Sequence, residues 1–203
     1  MTGLILKDLI NLKKQARVYL ILVLFYLVLG IANESSDMFS TMMIVVSAII
    51  PITAMSYDER SKWDRYALTM PLSRKSMVAS KYILGLIFLV ASFILSMLFN
   101  SFFSNISLME NVMICLATLS IGMVIMSVIF PLIFKFGVEK GRIFMMIVLF
   151  APTALILLLS KLEISMPDEE TIKSLLYLSP IVAAVIFIAS IYISMSIYNK
   201  KEF

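Results

Sequence analysis

The chain has 203 residues, of which 61% are hydrophobic and 15% charged, with a net charge of +4 and a mean hydropathy of +1.01. A single water-soluble core of this length cannot bury that much apolar surface, so the surplus must face lipid. Histidine is absent and Cys115 is the sole cysteine, which excludes His-based acid–base catalysis, His metal ligands and an internal disulfide.

Residues 1–17 come first. Ile5, Leu9, Leu12, Ala16 and Tyr19 recur at helical spacing, with Lys7, Asn11, Lys14 and Gln15 opposite them. This predicts an amphipathic helix on the membrane surface, its apolar side carrying Leu9 and Leu12 and its polar side Lys13, Lys14 and Arg17. A simple extension of the first span fits the same residues. Six apolar runs then follow, near 18–32, 39–57, 82–103, 112–134, 143–160 and 175–198. Each approaches the roughly 20 residues that a membrane-crossing helix requires. Gly30-Ile31-Ala32 has the small-x-small spacing of a leader cleavage site, but the run is read as a span. Pro51 and Pro152 fall inside the second and fifth runs and are expected to disturb their helices. The expected architecture is all-α: one permease-like transmembrane domain over 1–203, with six spans.

Charge orients this arrangement. Lysines and arginines gather in the N-terminal segment, between spans two and three, between spans four and five, and at the C-terminus; only Lys161 and Lys173 fall on the other side. The positive-inside rule then puts both termini in the cytoplasm of a multi-pass protein of the cell membrane. Glu34, Asp37, Glu110, Glu163, Asp168, Glu169 and Glu170 lean to the outside. No Asp, Glu, Lys or Arg lies within the six apolar runs, which argues against ion-coupled transport, proton pumping and voltage sensing. Asn100 is the polar residue most costly to leave unpaired in lipid, and Cys115 reads as a small buried hydrophobe. No G-x-x-x-x-G-K-[ST] sequence occurs, so no nucleotide site, and no enzyme activity, is expected in this chain.

The segment 58–72 interrupts the apolar pattern. Read as a helix from Ser56 to Met70, the chain here puts Trp63, Tyr66, Ala67 and Met70 on one stripe; Ser56 and Glu59 have capping-box spacing, Pro71 ends the helix, and Ser73 is placed to cap the next. An aromatic stripe among Glu59, Arg60, Asp64 and Arg65 has the composition of a protein interface. It equally suits a helix in the headgroup layer, with Trp63 and Tyr66 as anchors and its cations on lipid phosphates.

The run Glu59-Arg60-Ser61-Lys62-Trp63-Asp64-Arg65-Tyr66, then Leu68-Thr69-Met70-Pro71-Leu72-Ser73-Arg74-Lys75 and Lys81-Tyr82, resembles the loop after the second span of small ABC-2-type transporter permeases. In general look the chain is similar to bacterial permeases that export amphipathic peptides such as phenol-soluble modulins. The resemblance implies an exporter whose two permease chains, identical or closely related, pair around a translocation path. A separate cytoplasmic ATPase subunit would bind ATP and magnesium. The helix after span two would be the coupling helix on that ATPase. Trp63 and Tyr66 would fill its pockets; Glu59, Arg60, Asp64, Arg65 and Arg74 would set charge pairs, with Leu68 and Pro71 shaping the turn. Residues 1–17 would be the family's connecting helix. Family members carry re-entrant elements before the last span, but 161–174 is short and acidic, which argues against a large external structure. The other reading of the same loop is a membrane scaffold or sensor that recruits a cytoplasmic partner without transporting anything.

Overall fold

The computed structural model describes residues 1–33, 36–103, 107–161 and 169–201, and the side chains of 36–37 and 155–174 are not among those described. Among the described residues every element is an α-helix. In chain order they are α1 (Thr2–Lys13), α2 (Ala16–Ala32), α3 (Ser36–Arg60), α4 (Trp63–Thr69), α5 (Arg74–Phe103), α6 (Leu108–Phe136), α7 (Val138–Lys161) and α8 (Glu169–Asn199). The segments Met38–Arg60, Arg74–Phe103, Leu108–Phe136 and Leu175–Asn199 are long and apolar enough to cross a membrane. The pair α1 and α2, bent by 71° at its junction, makes a fifth if counted as one broken span.

Six spans were expected from the apolar runs. Among the described residues four or five meet the requirement, because α2 has 17 residues and reaches full length only together with α1. The run at 143–160 lies within α7, and the segment 161–174 lies largely outside the described residues. The helices also extend past the apolar runs. Asp58 belongs to α3 and Lys81 to α5, each one residue beyond the borders read from hydropathy. Pro51, Pro131, Pro152 and Pro180 all sit inside continuous helices.

The bundle is built on α5 and α6. α3 packs on α5 and α6, α8 on α6 and α5, α7 on α6 and α3, and α2 on α3. Val78, Tyr82, Leu89, Met126, Ile129 and Phe130 fill the centre. Close approach there depends on Gly122, where an added Cβ would lie 2.6 Å from Leu89 Cδ2 and 3.0 Å from Ile44 Cγ2. Small residues at helix contacts take this role in membranes, where no hydrophobic force favours helix over lipid and packing must supply the attraction.

Two polar knots cross the interior. Tyr82 Oη lies 2.7 Å from both Ser190 Oγ and Ser194 Oγ, and Ser190 Oγ donates to the Ser127 carbonyl, so α5, α8 and α6 are joined. At the other end Asn100 Nδ2 donates to Asn111 Oδ1 at 3.0 Å, and Ser40 Oγ donates to Asn100 Oδ1. Asn100 is therefore buried and paired. Cys115, fully buried beside it, lies 3.7 Å from Asn100 Nδ2 and donates to Asn111 Oδ1. Ser107 and Glu110 form a capping box at the start of α6, a local signal overlooked in the sequence.

Candidate functional site

One end of the bundle gathers α1, the α3–α4–α5 corner, the α6–α7 turn and the C-terminus of α8. These are the four segments in which the basic residues concentrate. The corner begins where α3 stops. Lys62 adopts φ 52°, ψ 35°, a left-handed conformation that breaks the helix and redirects the chain into α4. Met70 is extended, as the residue before Pro71 must be. Ser73 Oγ then accepts from the Ser76 backbone N–H at 3.1 Å, the expected cap of α5. The expected capping box at Ser56 is not formed, because α3 runs straight through Ser56 and Glu59. Ser56 instead accepts from Arg142 Nη2 at 3.3 Å.

Beneath the corner lies a closed ring of four charges. Lys81 Nζ sits 2.6 Å from Asp8 Oδ2 and 2.5 Å from Asp58 Oδ2. Lys7 Nζ takes the other two oxygens, at 2.5 Å from Asp58 Oδ1 and 3.2 Å from Asp8 Oδ1. Asp8 is only 1% exposed, Asp58 6% and Lys81 8%. The ring is neutral, and each charge lies between two of opposite sign. That is the arrangement in which burial of ions is tolerated, since mutual attraction offsets desolvation. Asp8 Oδ1 has its Lys7 contact as an ion pair without hydrogen-bond alignment. A cavity of about 20 Å³, lined among others by Asp8, Asp58, Trp63 and Lys81, adjoins it.

The ring joins α1, α3 and α5. It also revises the helical face read for residues 1–17. Leu4, Asp8 and Leu12 face inward, whereas Leu9 is 39% exposed and Ile5 partly buried. The buried stripe is thus shifted by one position, because a carboxylate with two lysine partners can occupy a buried face. Lys13, Lys14 and Arg17 are exposed.

α4 is fastened to the core, to α1 and to α8, and its flanking residues to α7 and α8. Ala67 is fully buried, and Trp63 and Leu68 are partly buried against the core. Lys7 Nζ lies 4.4 Å above the Trp63 ring, a cation–π contact. Asp64 is hydrogen-bonded to Tyr198 of α8; burial holds its carboxyl above the usual range, and the Tyr198 bond, with Lys201 and Lys81 nearby, only partly offsets this. Arg74 Nη1 donates to the carbonyls of Tyr198, Asn199 and Lys201, filling the acceptors that the end of α8 leaves open. Glu59 Oε2 accepts from the Val138 backbone N–H at 2.6 Å and so caps the start of α7. Gly137, at φ 86°, makes room for that carboxylate, since a Cβ there would lie 2.8 Å from Glu59 Oε1.

The predicted loop residues therefore fall into two sets. Glu59, Trp63, Asp64, Leu68 and Arg74 engage the protein itself. Arg60, Arg65, Tyr66 and Pro71 are exposed together with Lys62 and Met70, and Tyr66 is 65% exposed. Asp8, Asp58 and Tyr198 escaped the sequence reading. Asp58 and Lys81 stand as opposite charges just outside the second and third apolar runs, but nothing in the spacing pairs residues 8, 58 and 81, and nothing marks Tyr198 at the end of the last run. The family model described as ABC-2 family transporter protein matches residues 3–199 of the chain. Neither a curated protein nor a solved structure matches it.

Proposed function

The chain belongs to the ABC-2 transporter family, and on that premise we propose that it is the membrane-spanning permease subunit of an ABC exporter, with α4 as the coupling helix. A separate cytoplasmic ATPase, holding ATP and magnesium, would dock on the exposed side of α4. Two permease chains would pair to enclose the path. The cargo would be amphipathic peptides or other hydrophobic compounds, in keeping with the apolar spans.

One observation carries this reading. α4 presents Arg65, Tyr66 and Met70 outward while Trp63, Asp64 and Ala67 anchor it to α1, α8 and the core. A short helix held only by lipid would need no such inner wiring. A helix that must pass displacement to the bundle does need it, because packed elements transmit motion only through rigid contacts. Glu59 links the same corner to α7, Arg74 links it to α8, and the four-charge ring links it to α1. Tyr66 and the exposed arginines would make the ATPase contact, with Trp63 serving as an internal strut.

Purification of the full chain from a cell that also expresses the candidate ATPase tests this directly. The expected result is a stable complex in which ATP turnover depends on the permease chain. If the chain is instead recovered only with non-hydrolysing partners, it is a recruiting scaffold and the exporter reading fails.

A further inference from the structure

A second feature lies at the elbow between α1 and α2, away from α4. Leu9, Leu12, Lys13, Ala16, Tyr19, Ile50 and Phe88 line an open groove of about 390 Å³. Its polar end is at Lys13 in the last turn of α1, and its apolar end reaches Ile50 and Phe88, within the segments long enough to cross the membrane. Tyr19 forms a fixed wall, because its hydroxyl donates to Thr53 Oγ1 at 2.8 Å. Leu12 and Ile50 are buried members of the cluster beneath it.

Charge identifies the occupant. Lys13, Lys14 and Arg17 fall on either side of the bend between α1 and α2, all exposed, and among the described residues none has an acidic partner within ion-pair distance. The acids of α1 and of the inner end of α3 are engaged elsewhere, Asp8 and Asp58 by Lys7 and Lys81 and Glu59 by the Val138 backbone N–H. The elbow thus carries three uncompensated cations beside an apolar slot, Lys13 in its lining and Lys14 and Arg17 exposed next to it in the chain.

We propose that this groove is a binding site for one anionic phospholipid, its phosphate on Lys13, Lys14 and Arg17 and an acyl chain laid along Leu9, Ala16, Ile50 and Phe88. The site rests on the membrane reading of the chain and not on the coupling role of α4. Cations near a membrane surface each strengthen anionic-lipid binding about fivefold, so three give on the order of a hundredfold.

The test uses the full chain in an uncharged detergent, with bound lipid counted by native mass spectrometry. Phosphatidylglycerol, phosphatidylcholine with the same acyl chains, and water-soluble glycerol 3-phosphate are added in separate arms. Phosphatidylglycerol should bind at a concentration well over tenfold lower than phosphatidylcholine, and glycerol 3-phosphate should not bind. The triple variant Lys13→Gln, Lys14→Gln, Arg17→Gln changes exposed side chains only and should lose the preference. Ala16→Trp, which fills the groove from an exposed position, should weaken phosphatidylglycerol binding with all three cations retained. Equal binding of the two lipids, binding of glycerol 3-phosphate, unchanged selectivity in the triple variant, or undiminished phosphatidylglycerol binding in Ala16→Trp would overturn the site. So would an Ala16→Cys crosslink showing that a second copy of the chain covers the groove.

Discussion

At the scale of single residues, the strongest commitment is Lys81. It bridges two buried carboxylates, so Lys81→Met should leave Asp8 and Asp58 with Lys7 alone between them. Breaking a buried ion network from one side costs about 3–5 kcal/mol. The expected outcome is a lower thermal midpoint in detergent, and an unchanged midpoint would show that the ring contributes nothing. Asp64 makes a pH-dependent case. Its carboxyl titrates higher in the folded chain than in the unfolded one, so folding favours its protonated form. Ionisation therefore costs stability as pH rises from the unfolded value of about 3.9 through the raised folded one. Asp64→Asn keeps a partner for Tyr198 and cannot ionise. Its stability relative to wild type should increase as pH is raised from 4 to 7, measured by thermal unfolding at each pH. A constant difference would contradict the raised value. Pattern alone reads Asp64 as a charge on a docking helix and does not reach its partner Tyr198, 134 positions along the chain, and Asp8 was hidden because hydropathy treats an inward carboxylate as an error of phase.

At the scale of elements, the helix read from Ser56 to Met70 stops before Pro71 and Ser73 caps the next helix as expected, but Lys62 breaks it, so Ser56–Arg60 belongs to α3 and α4 starts only at Trp63. Its orientation was less legible. A helix of seven residues shows two turns, and two turns allow Trp63 to face a partner or the core equally well. Tertiary contacts decide for the core, through Lys7 and the cluster around Met77 and Phe134. The consequence is a division of labour that mutation can read. Arg65→Ala with Tyr66→Ala should lower permease-dependent ATP turnover severalfold while leaving the thermal midpoint within the small range usual for surface changes. Trp63→Ala should lower both, because it removes packing as well as coupling. A double variant that keeps full turnover would place the ATPase contact elsewhere. The same logic explains why the first helix was read one position out of phase. Leu9 and Leu12 are equally apolar, and only the burial of Asp8 with Lys81 fixes which edge turns inward.

At the scale of the whole molecule, the all-helical character and the end at which charge collects were legible because both follow from composition and from the sorting of Lys and Arg along the chain. The number of spans was less so. Hydropathy sees a run of apolar residues and not the 71° bend that separates α1 from α2. What the assembled bundle adds is connectivity. Glu59, Arg74 and the ring of Lys7, Asp8, Asp58 and Lys81 tie α4 and its flanks to α7, α8 and α1, so force applied at one short helix reaches the other elements. The most direct measurement is a crosslink. With Cys115→Ser removing the native thiol, Tyr66→Cys gives a single reactive position on the outer face of α4. In vesicles carrying both proteins, a short bifunctional thiol–amine reagent is expected to join this position to the ATPase, with yield that changes between nucleotide-free and ATP-bound states. A Cys at position 66 that reacts only with lipid-dissolved reagents, and never with the ATPase in either state, would contradict the coupling role of α4.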